Sequence, residues 1–139
     1  MSFREKSAWI SFVLVFVAST VYFAHAVAVM VTHAGFGRLA YLFFALVVGL
    51  VLLEVVLHIV IAVRAPSEAK SPKDERERLI DMKATQIAFP VLLVGALSAN
   101  LPMHLGGGRW EMSQLILFAV AAAELVKFGA QIVYHRRGF

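Results

Sequence analysis

Four long apolar stretches, separated by three polar breaks, organise this chain. They run from Ser7 to Thr32, Leu39 to Val63, Thr85 to Met103 and Ser113 to Tyr134. Each is close to the ~20 residues that a helix needs to cross a hydrocarbon core of ~30 Å. The few polar positions inside them recur at helical spacings. The first stretch carries Ser11, Tyr22, His25 and Thr32, and the second Glu54 and His58. The third carries Gln86, Asn100 and His104, and the fourth Ser113, Glu124, Lys127, Gln131 and Tyr134. One polar stripe per helix predicts an all-α, integral membrane four-helix bundle with the stripes turned inward. Small residues at Gly95, Ser98 and Ala99, and from Ala119 to Ala123, predict close helix approach.

The pattern is written twice. His33-Ala34-Gly35-Phe36-Gly37-Arg38 and His104-Leu105-Gly106-Gly107-Gly108-Arg109 share the form H-x-G-x-G-R, each between two apolar stretches. Lys6-Ser7-Ala8-Trp9-Ile10-Ser11-Phe12 aligns in the same way with Lys83-Ala84-Thr85-Gln86-Ile87-Ala88-Phe89, and Glu54 stands in the first half where Glu124 stands in the second. Residues from about 4 to 64 and from about 84 to 137 therefore read as two parallel transmembrane hairpin repeats, joined by a segment over about 65–83, within one membrane domain covering 1–139. A pseudo-two-fold axis along the membrane normal then sets corresponding residues at equal depth.

Composition and charge sharpen the picture. The chain is 60% hydrophobic with a mean hydropathy of +0.80, against roughly 45–50% apolar residues in soluble domains. A chain of 139 residues has too little interior to hide so many apolar side chains. The absence of cysteine excludes disulfides, thiolate metal sites and Cys nucleophiles. A net charge of +4 suits nucleic acid, but the basic residues flank the apolar stretches, which is the arrangement of membrane topology. Arg4, Lys6, Arg64, Lys70, Lys73, Arg76, Arg78, Lys83, Arg136 and Arg137 fall on one side, and Arg38 and Arg109 on the other. The positive-inside rule places both termini and the central segment in the cytoplasm and both H-x-G-x-G-R loops outside, in the inner membrane of a bacterium. Ala24-His25-Ala26 has the form of a signal-peptide cleavage site, but the apolar stretch continues through Val31 and reads as a retained helix.

In the central segment, Ser71-Pro72-Lys73-Asp74 combines an N-cap Ser, a Pro at the first helical position and an acid at the third, which predicts a helix start near Pro72. Asp74 with Arg78, and Lys73 with Glu77, are opposite charges at i,i+4, and Pro90 is a candidate kink. Asp74-Glu75-Arg76-Glu77-Arg78-Leu79-Ile80-Asp81, followed by Lys83-Ala84, resembles the D-E-R-x-R-x-I loop of a family of small, uncharacterised bacterial four-helix membrane proteins. The resemblance covers this loop and the hydropathy layout, and it implies no activity.

Glu54 and Glu124 lie near the middle of their stretches, where a carboxylate is most expensive in lipid and is by default a functional candidate. With Lys127 and His58, each one turn away, they form the ion-binding set of a small proton- or cation-coupled transporter. The same pairs also suit a purely structural role in fixing helix register. Glu54-x-x-x-His58 has metal-ligand spacing, but too few further ligands accompany it, and no metal is expected. His33 and His104 end the first and third helices at matched depth, so bis-His haem ligation is a lesser alternative. A His in the last turn, with a Gly two residues on, is also an ordinary helix ending, and no cofactor is expected. His33, Arg38, His104 and Arg109 flank helix N-termini and suit an anion or lipid head group, or anchor the interface beside Tyr41 and Trp110. No nucleophile–His–acid set is identifiable, so an enzyme is not expected. The rival reading is a non-catalytic membrane partner that docks a cytosolic protein through Asp74, Arg76 and Arg78. Four short helices make a thin pathway, which favours a homodimer.

Overall fold

An apolar run offers its backbone few polar side chains to bond, and a helix satisfies every interior N–H and C=O within the segment itself. The computed structural model, which describes residues 3–32 and 37–137, follows this rule. Its helices are α1 (Phe3–Thr32), α2 (Gly37–Arg64), α3 (Pro66–Lys70), α4 (Glu75–Ser98), α5 (Leu101–His104) and α6 (Arg109–Arg137). No strand occurs among the described residues. Four helical segments are long and apolar enough to cross a membrane: α1, α2, α4 continued through α5, and α6.

Two details depart from the sequence expectation. α4 starts three residues beyond Pro72, because its N-cap is Asp74 and not Ser71. The Asp74 side chain accepts from the Glu75 N–H at 2.7 Å, while the Asp74 N–H donates to the Glu77 carboxylate at 3.2 Å, closing a capping box. Ser71 has only Asp74 three residues on, one methylene too short to reach back as Glu77 does. The third apolar stretch is also interrupted. α4 runs through Pro90 but ends at Ser98, and α5 resumes at Leu101. Pro102 has no N–H for the Ser98 carbonyl and its ring crowds that carbonyl, so the chain turns at Ala99–Asn100.

The chain divides into two compact units, Met1–Lys70 and Ser71–Phe139. In the first, α1 packs on α2, and the short α3 follows in contact with α2. Its buried residues on α1 are Glu5, Ala8, Ser11, Tyr22 and Ala26, a single face at helical spacing; on α2 only Leu39 is buried. Val48, Leu52, Val55, Val56 and Ile59 of α2 are all exposed, a surface suited to lipid. The expected inward stripe on α1 is therefore only partly realised. His25 and Thr32 are exposed and bond to their own helix, His25 Nδ1 to the Val21 carbonyl at 2.9 Å and Thr32 Oγ1 to the Ala28 carbonyl at 2.8 Å.

In the second unit α4 packs along α6, with α5 against the start of α6. The buried face is built mostly from small residues, Ala84, Ala88 and Ala99 on one side and Ala119 and Ala123 on α6, with Ile80 and Ile132 also buried. Gly95 marks the tightest approach: a Cβ built there would lie 2.4 Å from Ala119 Cβ and 3.2 Å from its Cα. The turn into α6 needs glycine twice. Gly106 adopts φ +82°, and a Cβ on Gly107 would fall 2.9 Å from Pro102, whose carbonyl takes the Gly107 N–H at 2.7 Å.

Gly95 therefore sets the helix spacing in this unit. Gly95→Val should destabilise it by about 1–3 kcal/mol through overpacking, read as a lower thermal midpoint in detergent. Gly49→Ala, at a position with open space around it, should leave the midpoint nearly unchanged.

Candidate functional site

The first unit contains a two-rung polar ladder between its helices. Ser7 and Ser11 are one turn apart on α1, and Glu54 and His58 are one turn apart on α2. Because the helices are antiparallel, the pairs meet in opposite order. The Ser11 hydroxyl donates to Glu54 Oε1 at 2.5 Å, and Ser7 Oγ lies 2.6 Å from His58 Nε2. The register continues to the ring contact between Tyr22 and Phe43, eleven residues further along each helix from the Ser11–Glu54 pair, with centroids 5.7 Å apart. Ser11 is 4% exposed, so its hydroxyl has little access to any other partner.

His58 also bonds within its own helix. Its Nδ1 lies 2.7 Å from the Glu54 backbone carbonyl. A carbonyl only accepts, so Nδ1 carries a hydrogen, and in the neutral ring Nε2 accepts from the Ser7 hydroxyl. The ring bonds the backbone of Glu54, while the Glu54 side chain turns to Ser11. The one-turn spacing of these two residues therefore does not produce an acid–imidazole contact; it stacks two separate rungs.

The second unit handles its carboxylate differently. Glu124 Oε2 takes a 2.8 Å ion pair from Lys127 Nζ on the same helix, and Lys127 Nζ also sits 4.8 Å from the Phe128 ring centroid. This pair stays partly open, its side chains 41% and 30% exposed. In the register aligned from the sequence, Ser7 and Ser11 correspond to Ala84 and Ala88, which are buried against α6 as plain packing. The polar tie between α4 and α6 sits elsewhere. Gln131 Nε2 donates to Asp81 Oδ1 at 3.0 Å, and the other Asp81 oxygen is ion-paired with Lys73.

Glu54 belongs to the first unit and Glu124 to the second. Among the described residues no group of three or more His, Asp or Glu side chains converges to hold a metal ion. His33 lies outside the described residues. His104, Arg38 and Arg109 are exposed, as is Tyr41. At the start of α6 the Gly108 N–H donates to Glu111 Oε2 at 2.7 Å, so the helix N-terminus already faces a carboxylate of its own. Asp74 is occupied as the α4 N-cap, whereas Arg76 and Arg78 are exposed with no ion pair among the described residues.

Sequence reasoning singled out Glu54 and His58 but not Ser7, and it named Ser11 only as part of a stripe. The signal was present: two residues at i,i+4 on each of two consecutive antiparallel helices, at matching distances from the turn. Comparison with protein-family models, curated proteins and solved structures finds no match to this chain.

The ladder predicts a selective cost. Ser11→Ala should destabilise the first hairpin by about 1 kcal/mol, the worth of one hydrogen bond, measured by unfolding in detergent. Thr20→Ala, which removes only an exposed hydroxyl bonded to the Phe16 carbonyl of its own helix, should change the midpoint little.

Proposed function

We propose that the chain is an integral membrane protein of four spans, built from two parallel hairpin repeats, with both termini and residues 65–83 in the cytoplasm of a bacterium. The exposed apolar side chains of its long helices support this, as does the gathering of Lys and Arg at one set of helix ends. α1, with 30 residues, is about 45 Å long at 1.5 Å per residue. That exceeds a ~30 Å hydrocarbon core, so both its ends reach the headgroup layers. Arg38 with Tyr41, and Arg109 with Trp110, then serve as interfacial anchors at the outer face.

Within that frame the protein is a small proton- or cation-coupled transporter, and Glu54 is its working carboxylate. One observation carries this reading. Among the described residues, the Glu54 carboxylate has a single hydroxyl partner, Ser11, and no ion pair. A carboxylate in an apolar span without a counter-cation is expensive to keep there and is by default a functional candidate. Glu124, in the other unit, is compensated in place by Lys127, so Glu54 is the carboxylate assigned to exchange. A second copy of the chain would complete the pathway that four short helices leave thin.

Proteoliposomes containing a pH-sensitive dye test this directly. Gradients of sodium, potassium or an organic cation should drive proton flux through the wild-type protein, and Glu54→Gln should abolish it while circular dichroism stays unchanged. Flux that persists in Glu54→Gln, or no flux from wild type under any of these gradients, refutes the transporter reading. The second reading, a membrane partner for a cytosolic protein, is favoured by the unpaired guanidinium groups of Arg76 and Arg78 on a firmly capped helix start. It expects a cytosolic protein captured by the wild type and released by Arg76→Gln with Arg78→Gln, with Glu54→Gln having no effect.

A further inference from the structure

We infer that His58 and Ser7 form a proton relay linking Glu54 to the end of the first hairpin where α1 begins and α2 finishes. The inference rests on the proposed role of Glu54 and adds the route its proton takes. α1 begins at Phe3 and α2 ends at Arg64, so the Ser7–His58 rung lies between the helix ends and the Ser11–Glu54 rung. The rungs are one turn apart, about 6 Å along the axis, a distance that two hydrogen bonds through one water span.

The geometry suits the chemistry. The Glu54 carbonyl pins the Nδ1–H of His58, which fixes both ring orientation and tautomer. In the neutral ring Nε2 accepts the hydrogen of Ser7 Oγ, 2.6 Å away. A proton delivered by water from the helix ends to Ser7 Oγ releases the hydroxyl's own hydrogen to Nε2, and the bond to the Glu54 carbonyl is kept. Nε2 then returns a proton to Ser7 Oγ as that hydroxyl passes its own through water to the Glu54 carboxylate, and the ring is neutral again in its starting tautomer. One proton enters and one leaves, and no heavy atom moves more than a rotamer. Other charged groups on these elements are Arg4, Glu5 and Lys6 around Ser7 on α1, Arg64 at the end of α2 and Lys70 on α3.

The second hairpin sharpens the contrast. In the aligned register its residues at the Ser7, Ser11 and His58 positions are Ala84, Ala88 and Phe128, none of which relays a proton. The relay is a property of the first hairpin alone.

Time-resolved infrared spectroscopy of the full chain in lipid nanodiscs, after a pH jump, reads the inference without any substrate. The carbonyl stretch of the protonated acid that disappears in Glu54→Gln identifies Glu54. In wild type this band should rise quickly after acidification. In His58→Gln, whose amide can still bond to Ser7 and the carbonyl but cannot carry the proton, it should rise about a hundredfold more slowly, the low end of what a positioned acid–base group contributes. In His58→Ala, added imidazole should restore the rate. A Glu54 band that rises as fast in His58→Gln as in wild type overturns the relay and leaves Glu54 as the exchanging carboxylate. A slowed His58→Ala that imidazole fails to rescue assigns the effect to structure and also overturns the relay. A wild-type Glu54 band that does not respond to pH overturns both the relay and the carboxylate reading beneath it.

Discussion

A polar side chain in an apolar helix has few polar side chains near it, and the rest of this molecule follows from how each one finds a partner. Most take the nearest carbonyl. Ser19, Thr20, His25, Thr32, Thr85 and Ser98 each bond to the backbone four residues earlier, which satisfies them without any neighbouring helix. Lys127 and Glu124 satisfy one another within a single helix. Others reach a second helix and tie the hairpins, among them Ser7 and Ser11 to α2, and Asp81 to Gln131.

The two hairpins are closed by different means. Between α4 and α6 the contact depends on small residues, with Gly95 and Ala119 so close that a methyl group does not fit. There the backbones approach closely over small side chains, which gives extensive dispersion contact. Between α1 and α2 the contact has hydrogen-bonded rungs and aromatic edges, Tyr22 against Phe43 among them. Packing of this looser kind leaves room for hydroxyls to rotate.

The architecture was legible in the sequence because helix formation in apolar runs depends on length and composition, which are local quantities. The four stretches, their hairpin turns and the glycine-dependent ending after His104 could all be read from spacing. Boundaries were read less well where two local signals competed, as with Ser71 against Asp74, or where one proline overrode a long apolar count, as Pro102 does after Ser98. The site was half legible. Glu54 and Glu124 stood out by cost, but their partners did not follow from their own helices alone. His58 turned to a backbone carbonyl and not to the neighbouring carboxylate, and Ser7 was inconspicuous until an antiparallel register placed it opposite an imidazole.

The register also supplies an argument about why the rungs exist. A buried polar contact is seldom the most stable way to fill a helix interface, since packed apolar residues of similar size do as well or better. At the aligned positions of the second hairpin this chain uses that alternative, with Ala84 fully buried and Ala88 nearly so. In the first hairpin Ser7 and Ser11 instead satisfy His58 and Glu54, side chains that alanine would leave without a partner on the facing helix. Pairing both serines with titratable residues, in order from the helix ends to Glu54, is an arrangement that the second hairpin does without at its aligned positions.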